Sequence, residues 1–293
     1  MNEETCKELF GTLKPPVLDL SLDRIQEYAA VSVLNRITVT GVQKKLSLNV
    51  QGKDRDSRLT WVGLWGNYIL KPPADEYPQL PENEYTIMKL AVLAGIPTVP
   101  CGLIPLRSGE LSFITKRIDR TPTGDKLCME DFCQIAERLT EDKYRGSTEK
   151  VGKLILQYSE YPGIDLVDYF SRVVFNYIIG NSDMHLKNYS LIESSTGLRL
   201  APAYDLVSTV LVLPEDREES ALTINGKKAK LNRSDFDSLA KSLGLSEKQR
   251  DNVYSNYEEC SDKFIISIND SPISADYKSR LIALIKQRIT LIN

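Results

Sequence analysis

The 293-residue chain reads as an α+β protein of two lobes, strand-rich over 1–118 and mostly helical over 119–293. Three observations predict this. Short β-favourable runs bounded by turn residues crowd the first third, helical apolar spacing dominates the later part, and the change falls at 119–124. Clefts between such lobes are where small ligands are expected to bind.

In order along the chain, strands are expected at 46–50, 59–62, 68–70, 102–105 and 111–116, each flanked by Gly, Pro, Asn or Asp. One helix interrupts them at 82–94. There Tyr85, Met88, Leu90, Ala91 and Leu93 recur at near-helical spacing, and Gly95 followed by Pro97 closes the run. Helical periodicity then marks 129–139, 148–158, 166–179, 234–243, 247–268 and 274–291, with Ser234, Ser246 and Ser274 as N-caps. Between 179 and 234, the runs 189–192 and 198–200 read as a hairpin. The polar stretch TEDKYRGST (140–148) reads as a mobile, solvated connector or a substrate-recognition loop.

Composition narrows the function. Lys+Arg at 37 against Asp+Glu at 40 gives a net charge of −3, no footprint for direct nucleic-acid binding. The N-terminus lacks the apolar core of a signal peptide, and no run reaches the eighteen or so apolar residues that span a bilayer, so a cytoplasmic protein without membrane contact is expected. Its five cysteines, Cys6, Cys101, Cys128, Cys133 and Cys260, form no C-x-x-C pair. Reduced thiols are the expected state.

Chemistry concentrates in GNSDMHLKNYS (180–190), which holds the single histidine, His185, and is followed by Tyr204-Asp205-Leu206. Asp183 and Asn188 are spaced D-x-x-x-x-N, as in protein-kinase catalytic loops. Phosphoryl transfer needs a carboxylate near the nucleophile and hard oxygen ligands for a magnesium ion that keeps part of its water shell. Asp183 suits the first role; Asn188 and Asp205, brought together by the hairpin, suit the second. Asp and Asn after a helix also serve as ordinary turn residues, and a lone histidine is more often structural. A plain loop, however, has no need of Asp, His, Lys and Asn within six residues and a second Asp beyond a hairpin.

Several separated motifs resemble one family in content and order: RITVTGVQKKLSL (36–48), YILKPP (68–73), LPENEY (80–85), TKRIDR (115–120), MEDFCQ (129–134), GNSDMHLKN (180–188) and PAYDLVS (202–208). This family is the HipA-like serine/threonine kinases of bacterial toxin–antitoxin systems. The resemblance implies a two-lobed protein-kinase-like fold using ATP and Mg2+, with Asp183 as catalytic base, Asn188 and Asp205 on the metal, and Lys71 on the ATP phosphates. Glu84 is the implied partner of Lys71. The segment 116–119 implies contacts to adenine and ribose through Lys116, Ile118 and Asp119. In such kinases the segment matching Thr38-Val39-Thr40-Gly41-Val42-Gln43, with Lys45 beyond it, covers the phosphates, and a hydroxyl at its start is autophosphorylated. Thr38 matches that hydroxyl and Thr40 offers a second. Roughly −2 of added charge beside a phosphate site should expel the loop, so self-inactivation is expected. His185 and Lys187 are placed to donate to phosphate oxygens; orientation suits the histidine, phosphate contact the lysine.

About 35 residues precede that loop, where the full HipA type carries a further subdomain. The chain therefore resembles variants whose subdomain is a separate small protein. Other implied partners are a helix-turn-helix antitoxin, through which nucleic acid is reached only indirectly, and a protein substrate such as an aminoacyl-tRNA synthetase. Asp205 lies in Y-D-L rather than D-F-G, and H-R-D and A-P-E are missing, so no eukaryotic-style activation loop is expected. Two alternatives remain open, an inactive kinase-like module in an antitoxin or repressor complex and a small-molecule kinase.

Overall fold

The computed structural model describes residues 1, 3–25, 27–28, 44–52, 56–62, 65–121 and 123–293. By packing, the chain divides into two units, Met1–Tyr85 with Val99–Lys126, and Thr86–Thr98 with Leu127–Asn293.

The first unit pairs helix α1 (Glu3–Phe10) with strands β1 (Leu46–Gln51), β2 (Arg58–Trp61), β3 (Tyr68–Lys71), β4 (Cys101–Pro105) and β5 (Leu111–Lys116). The strands form an antiparallel sheet in the order β2-β1-β3-β5-β4. Alternation along each strand sends one set of side chains to a shared core of Leu46, Leu48, Leu59, Leu70, Ile104 and Ile114, closed by Leu9 of α1. Central strand β3 carries Lys71 opposite Phe113 of β5. The chain then enters α2 (Leu80–Leu93), which begins in the first unit and continues into the second. At its end Gly95 adopts φ +78 and the Ile96 N–H returns to the Ala91 carbonyl at 3.0 Å, the left-handed closure that its Gly-Pro signal predicts.

The second unit holds the short helices α3 (Phe132–Ile135) and α6 (Thr209–Val212), and the longer α4 (Thr148–Tyr158), α5 (Pro162–Ile179), α7 (Arg233–Ser242), α8 (Glu247–Asn269) and α9 (Ala275–Ile292). Strands β6 (Met129–Asp131), β7 (Ser190–Ser194) and β8 (Gly197–Leu200) make an antiparallel sheet in that order. Helix α5 is buried on all sides from Tyr169 onward apart from Ser171. Its Phe175 ring lies 6.2 Å from that of Tyr257 and 6.3 Å from that of Phe264, and the Tyr177 ring lies 5.0 Å from Phe236. Burying such a side chain is worth about 1.5–3 kcal/mol, which outweighs the few tenths that Val173, Val174, Ile178 and Ile179 each lose in helix propensity. Packing therefore decides this helix.

Three sequence readings are corrected. The helix expected at 129–139 is strand β6 followed by a single helical turn. Asp131 Oδ1 accepts the Gln134 N–H at 2.9 Å while Gln134 Oε1 accepts the Asp131 N–H at 3.1 Å, a capping box that starts helix only at Phe132. The N-cap of α7 is Asn232, not Ser234, because Asn232 and Asp235 form the capping box there; Ser246 and Ser274 cap α8 and α9 as expected. The stretch 140–148 is no loose connector. Leu186 N–H binds the Lys143 carbonyl at 3.1 Å, Arg138 Nη1 binds the Arg145 carbonyl at 2.6 Å, and Thr148 N–H binds the Thr223 carbonyl at 3.0 Å. All five cysteines are free thiols. Among the described residues, no helix is long and apolar enough to cross a membrane.

Candidate active site

Helix α5 ends at Gly180, whose φ of +73 turns the chain into the loop that carries Asp183. Asn181 fixes the turn: its Oδ1 accepts the Asp183 N–H at 3.0 Å and its Nδ2 donates to Asn176 Oδ1 at 2.9 Å inside the helix. The Asp183 carbonyl then accepts the His185 N–H at 2.8 Å and Asn188 Nδ2 at 2.9 Å. The five-residue spacing thus closes into a small ring of hydrogen bonds. Because the Asn188 nitrogen is committed, its amide oxygen remains the ligand-type atom.

Asp205 reaches this loop through its neighbours. Tyr204 donates to the Lys187 carbonyl at 3.2 Å and shares a 2.5 Å hydrogen bond with Ser190, while Thr209 Oγ1 donates to the Gly180 carbonyl at 3.0 Å and accepts the Ser182 N–H at 2.8 Å. Asp205 itself sits at φ +54, a region that non-glycine residues seldom occupy and that clusters at functional sites. Its carboxylate and the Asn188 oxygen are hard donors of the kind that bind Mg2+ with one carboxylate and leave positions for water and phosphate. These donor types suit that ion. Among the described residues there is no cluster of three or more His, Cys, Asp or Glu that would suit a metal held by protein alone.

His185 is buried, and burial pushes its imidazole below its ordinary pKa; the carboxylates of Asp183 and Asp205 oppose that shift, and Lys143 adds to it. The imidazole Nδ1 is buried with no hydrogen-bond partner among the described residues, and the ring meets Tyr144 edge-on at 5.0 Å. Lys187 is paired with Asp131, Nζ to Oδ2 at 2.7 Å, so one carboxylate both caps α3 and holds the lysine.

Sequence reasoning missed Tyr144. Its hydroxyl donates to Asp183 Oδ1 at 2.6 Å, and burial together with that contact raises the phenol well above its ordinary pKa. The sequence offered only a single aromatic in a polar stretch, which does not tell an anchored ring from a solvated one.

In the first unit, Lys71 Nζ lies 2.5 Å from Glu84 Oε1 and 5.3 Å from the Phe113 ring centroid. Both side chains are at most 4% exposed, so this is a buried ion pair joining β3 to the second turn of α2. Asp119 is gripped by two arginines. Arg117 donates to Oδ1 at 2.9 Å and Oδ2 at 2.7 Å, and Arg120 to Oδ2 at 2.9 Å. Burial would raise its pKa, but these donors and charges hold it below the ordinary carboxylate value. Lys116 is exposed at the end of β5, its N–H bonded to the Pro100 carbonyl at 2.9 Å, and Ile118 and Lys45 are half-buried. Thr38, Thr40, Gly41, Val42 and Gln43 lie outside the described residues.

A strand-rich unit bearing a buried lysine–glutamate pair and a helical unit bearing the D-x-x-x-x-N loop together define a protein-kinase-like fold. The chain belongs to the HipA-like C-terminal domain family, whose model matches residues 37–264. Among curated relatives, Y4dM of Sinorhizobium fredii is 34% identical over 229 residues, which is 73% of this chain and 55% of that protein. The serine/threonine-protein kinase toxin HipA of Shewanella oneidensis is 26% identical over 191 residues, 59% of this chain and 43% of that protein. This chain thus spans about half the length of these relatives. The fold also superposes on the solved structure of Shewanella oneidensis MR-1 HipA in complex with HipB and operator DNA, with a TM-score of 0.71 at 23% identity, covering 87% of this chain and 66% of that one.

Proposed function

We propose that this chain is an ATP- and Mg2+-dependent serine/threonine protein kinase of the toxin type. The observation that carries the reading is the ring around Asp183: its carbonyl is tied to Asn188 and His185, while its carboxylate already accepts a hydroxyl at 2.6 Å. That is the distance at which a general base takes a proton from an acceptor. In this reading the acceptor oxygen forms the new bond to the γ-phosphorus, the bond to ADP breaks, and the proton passes to Asp183. Asn188 and Asp205 hold Mg2+, which when bound offsets charge on the phosphates. Lys71, fixed by Glu84, contacts the phosphates as a point charge. Lys187 adds a second positive group near them, and His185 orients the loop. Lys116, Ile118 and Asp119 contribute adenine and ribose contacts, with Thr40, Gly41, Val42, Gln43 and Lys45 over the phosphates.

Autophosphorylation at Thr38 or Thr40 would shut the enzyme off. The family supports a protein acceptor, with a translation factor such as an aminoacyl-tRNA synthetase as the class to test. Because HipA of Shewanella oneidensis was solved with HipB and operator DNA, a helix-turn-helix antitoxin is the partner this reading favours, with a separate small subdomain-like protein beside it.

The test is transfer of labelled phosphate from ATP into proteins of a bacterial extract. Asp183→Asn should retain ATP binding by calorimetry and lose transfer by roughly 10²- to 10⁴-fold, the usual contribution of general-base catalysis. Unchanged transfer removes Asp183 from the base role.

A further inference from the structure

The hydroxyl that Asp183 accepts belongs to Tyr144, a residue with no part in the transfer described above. A phenol donates a 2.6 Å hydrogen bond to the carboxylate oxygen Oδ1. An O–H to carboxylate bond of that length is charge-assisted and among the stronger kinds. It also has the donor type, acceptor atom and distance that an acceptor serine or threonine would need to surrender its proton to Asp183.

Around the ring, the structure combines backbone anchoring with side-chain freedom. The backbone is pinned by Leu186 N–H on the Lys143 carbonyl at 3.1 Å and by Arg138 on the Arg145 carbonyl at 2.6 Å. The side chain is held by one hydrogen bond, an edge contact to His185 at 5.0 Å and the Lys143 ammonium 4.9 Å from its centroid. At 40% exposed, Tyr144 has solvent on one side. A rotamer change, which exposed side chains make in picoseconds to nanoseconds, would release it.

Resting on the kinase reading, we infer that Tyr144 is a place-holder for the acceptor: its hydroxyl occupies the position at Asp183 that a substrate serine or threonine hydroxyl must take. Any acceptor binds only the fraction of molecules in which Tyr144 has moved away, which lowers apparent affinity by that fraction. The phenol thus selects for acceptors whose surrounding segment binds well enough to displace it, and it shields Asp183 while no acceptor is present.

Tyr144→Phe is the decisive variant, because it removes the donor and keeps the ring against His185. An unchanged melting temperature within a few degrees verifies its fold. Steady-state transfer is measured with a peptide spanning the hydroxyl that wild type labels in extract. The peptide KM should fall roughly two- to tenfold, the worth of one net hydrogen bond, with kcat undiminished. An unchanged KM overturns the inference. A lowered kcat also overturns it, since Tyr144 would then orient the base, and so does label on Tyr144 itself, which would make it an acceptor. Active wild type with indifferent Tyr144→Phe topples this inference alone; wild type that labels nothing topples the kinase reading and the inference with it.

Discussion

Two polar contacts of nearly equal length stand in the two units. In the strand-rich unit, Lys71 and Glu84 meet at 2.5 Å with side chains 4% and 1% exposed; in the helical unit, Tyr144 and Asp183 meet at 2.6 Å with the tyrosine 40% exposed. Length alone would rank them together. Burial separates them, because a charge removed from water depends wholly on its partner, whereas a half-exposed phenol can exchange its partner for water. The first contact fixes a geometry and the second occupies one.

The largest expected effect follows from that difference. Glu84→Ala removes the carboxylate that the buried Lys71 ammonium meets at 2.5 Å, a change that costs about 3–5 kcal/mol when a buried pair loses one member. Urea unfolding should show that loss. The double variant Lys71→Met with Glu84→Leu should recover most of it, since a well-packed apolar pair is often neutral or better than a buried ion pair. A cost below about 1 kcal/mol for Glu84→Ala, the size seen for surface pairs, would erase the distinction between the two contacts.

How far these arrangements could be read from sequence depends on the range of the interactions. Strands β1 to β5 were legible because alternation and turn residues are local, and the motifs that hold Lys71, Asp183, Asn188 and Asp205 could be picked out because they too are local. Strand β6 was not: three residues, Met-Glu-Asp, carry no alternation, and Phe132 to Ile135 continue them with a true helical turn. Tyr144 was hidden for a different reason. Its partner lies 39 residues away, and nothing in TEDKYRGST distinguishes an anchored aromatic from a solvated one. The same holds for Asp131 and Lys187, 56 residues apart, where the residue that caps α3 is an ion-pair partner as well. Long-range pairing of polar groups leaves no periodic trace.

A middle-sized effect asks whether the exposed contact depends on its scaffold. Gly180 has φ +73, and a Cβ there would come within 2.7 Å of both Leu284 Cδ2 and Val210 Cγ1. The left-handed backbone costs an alanine about 1–2 kcal/mol. Leu284 Cδ2 is the end of a flexible side chain, but Val210 is β-branched and its Cβ would also lie at 3.3 Å, so about 1–3 kcal/mol of overpacking adds to the strain and Gly180→Ala should lose roughly 2–5 kcal/mol in thermal or urea unfolding. A loss near zero would show that the turn before Asp183 yields easily, and that the loop rather than its helix sets the position of the base.

The smallest effect is the one that bears most on the exposed contact. A double-mutant cycle over Tyr144→Phe and Asp183→Asn isolates the energy that the two side chains share in the folded protein. Tyr144 is part solvated, so each variant leaves a group that water can reach, and the coupling should be about 0.5–1.5 kcal/mol, the net worth of an ordinary hydrogen bond. That range is what a displaceable contact requires, since an acceptor hydroxyl offers Asp183 a bond of the same kind and need make up only the difference. Coupling of about 3 kcal/mol or more would belong to a desolvated, structural pair. Tyr144 would then resemble Glu84, a fixed partner, and an incoming hydroxyl would find Asp183 closed to it.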